Sequence, residues 1–327
     1  MITRRTIVQG LACAPLVAAT GQAAAQAPAF PEKLVKIIVP LPPGSPPDVL
    51  ARVVGEGLGK LWKQPVVIEN RPGGTGSVGM QAVVRAPADG YTAGIMFLTH
   101  TVIPELMGPL PYNTATDIEP IANAVHLYNV LAVPAASPIR SLQELVERAR
   151  AQPGALTYGS GGNGSPAHLV AESFCQATNT RMLHVPFRGP AEAVTALIGD
   201  QLSAMFATVP TAAPLIKAEK LRALAVTSPE RLSAMPSVPT VREAGVQGLE
   251  LKEWEGFVAP AGTPKAIVAK WNQDLFQVLA QPEVRARLAE LGMTVADRHR
   301  PEDFGGLIRR ELEHWGGFVR ARGLKAS

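Results

Sequence analysis

The stretch Lys36–Arg52, KIIVPLPPGSPPDVLAR, constrains this chain more than any other. Lys36-Ile37-Ile38-Val39 is a short β-branched run of the kind that makes a strand buried on both faces. Pro42 and Pro43 carry no N–H and Gly44 tolerates positive φ, so the ladder stops there. Ser45 is a good helix N-cap and Pro46 suits the first helical position. Asp48, three residues after the cap, makes a capping box leading into Val49-Leu50-Ala51. A strand, a tight turn and a capped helix start leave free backbone N–H groups at the positive end of a helix dipole, where an anion can sit. The pattern recurs. Leu156-Thr157-Tyr158 precedes Gly159-Ser160-Gly161-Gly162-Asn163-Gly164, followed by Ser165-Pro166-Ala167-His168-Leu169. Gly44-Ser45-Pro46 and Gly164-Ser165-Pro166 are one turn, cap and helix device used twice, which predicts two anion-binding helix starts facing one cleft.

The rest of the chain alternates in the same way. Strands are expected at Gln64–Glu69, Tyr91–Leu98, Val125–Val133, Met182–Val185, Leu202–Ala207 and Leu221–Thr227. Helices are expected at Ser77–Arg85, after the cap Ser141, near Pro190 and from Val209-Pro210. A long irregular connection, punctuated by Pro236, Pro239 and Pro260, holds one more strand, Trp254–Ala259, that crosses between domains. From Pro264 the chain is nearly all helix, in three segments broken at Pro282 and Pro301. Alternating strands and helices imply an α/β fold with mostly parallel sheets and helices on both faces. At 327 residues the chain exceeds one ordinary core, and two domains are expected.

Charge and targeting narrow the function. The net charge of +4 is spread thinly, without a basic run interleaved with aromatics, which excludes nucleic acid as a partner. A mild positive balance suits a protein that collects acidic small molecules. Residues 1–25 read as a signal peptide: Arg4-Arg5 in the positive segment, an apolar stretch from Gly10 to Thr20, and Ala23-Ala24-Ala25 for cleavage. The paired arginines fit a twin-arginine signal as well as a Sec signal, and both stay open. No later stretch approaches the roughly 18 unbroken apolar residues of a membrane span. The expected location is the periplasm. After cleavage only Cys175 remains, so no internal disulfide forms, and its amphipathic helical setting reads as packing.

Several motifs point to chemistry that the spacing does not support. Gly159-x-Gly161-x-x-Gly164 and Gly74-x-Gly76-x-x-Gly79 match a dinucleotide fingerprint, which also needs an acid about 20 residues on. Those places hold His184-Val185-Pro186 and Leu98-Thr99-His100, so no cofactor is expected. Ser160 lacks the first glycine of a nucleophile elbow, because Tyr158 stands there, and no catalytic residue is assigned. A hydrolase stands as the enzyme alternative. The six histidines form no H-x-H or H-E-x-x-H pair, so no metal site is expected. His168, beside its cap, either fixes the loop by a local hydrogen bond or touches ligand. Asp48 reads as a cap rather than a catalyst. Thr99 and His100, at the carboxyl end of a strand, are ligand-contact candidates.

From Phe30 almost to Leu324 the chain resembles the periplasmic substrate-binding proteins of tripartite tricarboxylate transporters, the Bug or TctC family. The stretches that carry the resemblance are IIVPLPPGSPPDVLAR, VVIENRPGGTGSVG, RAPADGYT, LTYGSGGNGSPAHL, HVPFRGPAEA, LRALAVTSPERL, PSVPTVREAG and APAGTPKAIV. The resemblance implies a non-enzymatic, monomeric Venus-flytrap protein that presents an organic mono- or dicarboxylate to integral-membrane permease subunits. Ligand-sensing for a membrane kinase is the alternative. Lobe 1 is expected to be discontinuous, residues 26–130 plus 255–327, with lobe 2 at 131–254. The resemblance also places the carboxylate between two loops, Pro43, Gly44, Ser45 and Asp48 on one side and Ser160, Gly161, Asn163, Gly164 and Ser165 on the other. Ser165 is expected to cap its helix, with Ser160 and Asn163 facing the cleft. The chain departs from the family pattern in two places. Gly44-Ser45-Pro46-Pro47-Asp48 replaces Gly-Gly-x-Thr-Asp, losing a hydroxyl and one N–H donor. Ala204 and Ala207 flank Met205-Phe206 where acids are usual, which favours a ligand without an amino group.

Overall fold

The computed structural model describes residues 30–249 and 251–324, so the expected signal segment lies outside the described residues. The first strand, β1 (Val35–Val39), leads through the Pro42–Gly44 turn into α1 (Pro46–Trp62). Then come β2 (Val66–Asn70), a 3-10 turn at Gly74–Gly76, α2 (Ser77–Val84), β3 (Thr92–Phe97), α3 (Thr99–Leu106) and β4 (Ile118–Leu127). The second half runs β5 (Asn129–Pro134), α4 (Leu142–Ala151), β6 (Thr157–Ser160), α5 (Pro166–Ala177), β7 (Leu183–Pro186) and α6 (Pro190–Ile198), then β8 (Ala204–Thr208), α7 (Val209–Lys217) and β9 (Leu221–Val226). The chain returns through β10 (Glu253–Pro260), α8 (Lys265–Leu279), α9 (Pro282–Glu290), β11 (Thr294–Val295) and α10 (Pro301–Arg322). Among the described residues no helix is long and apolar enough to cross a membrane.

Two sheets result, ordered β11-β4-β10-β3-β1-β2 in lobe 1 and β7-β6-β8-β5-β9 in lobe 2. The α/β, two-lobed architecture is as expected, but the sheets are mixed rather than mostly parallel. β1 pairs parallel with β2 and β3, and β6 with β7 and β8. β10 is antiparallel to both β3 and β4, and β5 to both β8 and β9. The reason is connectivity. The parallel strands end at the edge facing the other lobe, whereas a strand entering a lobe from its partner must begin at that edge and run away from it. The extended run expected from Val125 to Val133 is two strands in different sheets, broken at Tyr128. The chain crosses at Tyr128 and again ahead of Glu253, so the boundaries placed at 130/131 and 254/255 fall inside β5 and β10.

Neighbouring residues of one strand serve two cores, because successive side chains point to opposite faces. Ile37 joins the core built by α1 and α8 with Leu50, Val54, Trp271 and Leu275. Ile38 joins the core under α2, α3 and α10 with Met80, Val102, Phe304 and Trp315. In lobe 2, Leu131 packs with α4 and α5, and Val130 with α6 and α7. The lone cysteine, Cys175, is buried in the α4–α5 core. Close approach fixes one glycine: a Cβ on Gly79 of α2 would lie 2.6 Å from Pro40 Cα and 2.8 Å from the Arg71 carbonyl oxygen. That seats α2 against the chain leaving β1.

Candidate functional site

The first helix start departs from its expected form. Ser45 takes the N-cap position with extended backbone, but its hydroxyl donates to the Pro42 carbonyl at 2.7 Å and makes no cap bond. Asp48 reaches past Ser45 and accepts from the Gly44 N–H at 2.9 Å. The capping box is therefore not made. Pro46 and Pro47 remove two of the N–H groups a helix start would present, so this end is poor in donors. Asp48, only 2% exposed, is clamped by the Arg52 Nε and Nη2 donors at 3.0 and 2.9 Å and by the Asn70 amide at 2.9 Å. Burial alone would raise its carboxyl, but the bonds from Arg52, Gly44 and Asn70 outweigh it and hold the group below the usual carboxylate range. Asp48 braces the loop.

The second helix start is built differently from what its sequence implies. Gly162 and Gly164 adopt φ of +115° and +74°, turning the chain from β6 into α5. The Ser160 hydroxyl lies 2.7 Å from His184 Nε2 and contacts the carbonyl and N–H of Gly162, and the residue is fully buried. It does not face the cleft. Ser165 occupies the N-cap, yet its side chain caps nothing: the Oγ is buried without a partner. Neither serine plays its expected role. His168 does what a capping side chain would have done, accepting the Gly164 N–H on Nδ1 at 3.0 Å. Its ring stacks on His184 at 4.1 Å, and His184 stacks on Tyr158 at 4.9 Å. Burial and the neighbouring His168 push His184 down to about 3, and burial lowers His168 as well, so this stack is uncharged at neutral pH.

Thr99 and His100 open α3, a helix the sequence reading assigned to a strand end. His100 is fully buried, with Nε2 3.3 Å from the Gly76 carbonyl and Nδ1 3.2 Å from the Phe97 backbone. Burial pushes it down to about 4. It pins the Gly74–Gly76 turn to the end of β3. Thr99 is 1% exposed.

Between the lobes lies a cleft of about 450 Å³. Lobe 1 contributes Thr75, Leu106 and Met107; lobe 2 contributes Gly162, Asn163, Pro186, Phe187, Arg188 and Glu192. A Cβ on Gly161 would stand 3.0 Å from Pro190, the first residue of α6, so the glycine-rich turn ahead of α5 meets the start of α6 beside this cleft. Arg188 lines this space, and the positive dipole end of α6 lies beside it. Of the residues singled out from sequence, Asn163 lines it and Gly161, Gly164 and Ser165 stand in its supporting turn. Pro43, Gly44, Ser45 and Asp48 do not line it. Thr75 and Phe187-Arg188 were missed although they lie inside VVIENRPGGTGSVG and HVPFRGPAEA, because only two loops were carried over. Leu106 and Met107 had no signal, since α3 itself went unread. Among the described residues no three His, Cys, Asp or Glu side chains gather as a metal ion would need.

Residues 50–324 match the model of the tripartite tricarboxylate transporter family receptor, TctC. Among solved structures the chain is similar to the periplasmic binding protein BugD, with a TM-score of 0.83 and 29% identity, covering 91% of this chain and 100% of that one. It is similar to Rpa4515 of R. palustris with adipate, at TM-score 0.85 and 31% identity over 90% of this chain and 99% of that one. It is also similar to MatC of Rhodopseudomonas palustris with bound malate, at TM-score 0.81 and 30% identity, covering 89% and 100%.

Proposed function

This chain belongs to the tripartite tricarboxylate transporter receptors, the TctC or Bug family of periplasmic solute-binding proteins, and from that premise we propose that it captures an organic carboxylate between its lobes and delivers it to a membrane permease. The observation that carries the reading is the meeting of the glycine-rich turn ahead of α5 with the start of α6, at Gly161 and Pro190, beside a cleft walled by Arg188. The Ser165 hydroxyl, buried without a partner in the turn that bears Gly162 and Asn163, is a donor in need of an acceptor. A carboxylate supplies acceptors and the charge that helix starts favour. That two similar structures hold adipate and malate supports the same class of ligand. The protein acts as a binder without a catalytic group of its own. In support, Ser160, which stands beside His184 as a nucleophile would, is fully buried with its hydroxyl engaged by Gly162. Residues 1–25 carry its export.

Calorimetric titration with malate, adipate and their diamides tests the reading. The acids are expected to bind, and the diamides to bind roughly tenfold or more weakly, because each charge-assisted bond is worth about 1.5–3 kcal/mol. Equal affinity for acid and diamide, or no binding of any small dicarboxylate, overturns it.

A further inference from the structure

The crossing strand β10 opens with Glu253 and Glu255, two residues apart and so on one face of the strand. Glu255 pairs with Phe97, the last residue of β3, and Asn129 opens β5 opposite Thr208, the last residue of β8. All three therefore stand at the carboxyl ends of the parallel strands, where open α/β sheets take their ligands. Phe97 links them to the cleft wall: a Cβ on Gly76, next to Thr75, would lie 3.3 Å from the Phe97 ring. Glu253 and Glu255 are 7% and 5% exposed and Asn129 is fully buried. The Asn129 amide is directed at the pair, donating to the Glu253 carboxylate. Two acceptors beside it are buried with nothing to accept from, Asn129 Oδ1 and Glu255 Oε2. Among the described residues no Lys or Arg pairs with either carboxylate. Burial pushes Glu253 up to about 7, and burial with the charge of Glu253 pushes Glu255 well above its ordinary range. The place has two unsatisfied acceptors and two buried carboxyls, and among the described residues no cationic side chain paired with them.

We propose that Glu253, Glu255 and the Asn129 carbonyl form a subsite for a cationic nitrogen, so that the ligand is a carboxylate bearing an ammonium group. The proposal rests on the carboxylate-binding reading above and narrows its substrate class. An ammonium carries three donors and one positive charge, which matches the deficit at this place. The acid missing beside Phe206, where Ala204 and Ala207 stand, is thus supplied from β10. The plain mono- or dicarboxylate favoured by those two alanines gives way to amino-bearing acids.

The test is calorimetric titration of the mature protein with two matched pairs, glutarate against L-glutamate and adipate against L-2-aminoadipate. The parent is expected to bind each amino acid at least tenfold more tightly than its diacid. Glu255→Gln keeps the shape of the side chain and removes its charge, and is expected to abolish that preference while still binding the diacids. Should Glu255→Gln fail to give the parent circular-dichroism spectrum, Glu253→Gln carries the same expectation. A parent that binds the diacid as tightly as its amino counterpart overturns the subsite and leaves the carboxylate reading standing, as does a preference that survives both variants. Failure of all four probes to bind removes both readings.

Discussion

Gly164 of lobe 2 rests on Leu106 of lobe 1: a Cβ built on the glycine would stand 2.5 Å from the leucine Cδ2 and 3.4 Å from Val102 Cγ1. The glycine also has φ of +74°, a conformation that L side chains rarely adopt. The same residue thus shapes the glycine-rich turn and lets the lobes meet. Gly164→Ala is expected to cost more than about 1 kcal/mol in denaturant stability, since alanine is strained at positive φ and its methyl group meets Leu106. Solution scattering should show a larger radius of gyration for the variant than for the parent under equal conditions. An unchanged radius would mean that Gly164 does not control the approach of the lobes.

The two serines of the second turn make opposite predictions. Ser160→Ala deprives the Gly162 N–H and His184 of their shared partner and should lower stability by about 1–3 kcal/mol without ligand. Ser165→Ala removes a buried hydroxyl that bonds to nothing, so the apo melting temperature should stay level or rise. With a carboxylate bound, Ser165→Ala should weaken affinity roughly tenfold, the worth of one hydrogen bond to a charged group. Melting curves and titrations of both variants decide it. A Ser165→Ala protein that melts well below the parent and binds normally would make Ser165 a cap after all.

Asp48 carries a pH signature. Its folded pKa lies below the ordinary value, since the Arg52, Gly44 and Asn70 bonds outweigh burial. The stability it contributes is therefore present above the unfolded pKa of about 3.9 and is lost as pH falls through the lower folded value. Asp48→Asn should be less stable than the parent by about 1–3 kcal/mol at pH 7, with the gap closing as pH falls below about 4. Denaturant midpoints at several pH values measure it. A gap that is the same at pH 7 and pH 3 would show that the carboxylate charge plays no part.

Much of the fold was legible because strand, turn and helix follow one another with local punctuation, as in Val39, Gly44 and Ser45. What failed was set by distant partners. Tyr128 breaks one extended run into two strands with neither glycine nor proline to mark it, and the break exists because two sheets compete for the run. α3, with the sequence THTVIPEL, has β-branched residues and an internal proline, and its helix is held by burying Val102 and Leu106. At the site, the glycine-rich turn could be read. The reassignment of Asp48 depends on Asn70, 22 residues away, and that of Ser160 on His184, 24 residues away. The missing donors of the first helix start were visible in Pro46-Pro47.

Glu253 gives the last prediction, and its sign is opposite to that of Asp48. Burial raises its folded pKa to about 7, against about 4.3 for an unfolded glutamate. Between those values the folded protein holds a proton that the unfolded chain has released, so stability falls as pH rises. The contribution is fully present below about pH 4 and is lost as pH passes through 7, with a slope approaching about 1.4 kcal/mol per pH unit. Glu255 is shifted the same way and adds to the trend. Glu253→Gln keeps an oxygen to accept from the Asn129 amide but has nothing to titrate, so its stability should vary less with pH. Guanidinium midpoints of the ligand-free protein at pH 5, 6.5 and 8 would show the variant gaining on the parent as pH rises. If the two stay equally far apart across that range, Glu253 ionises freely and its carboxyl is open to water.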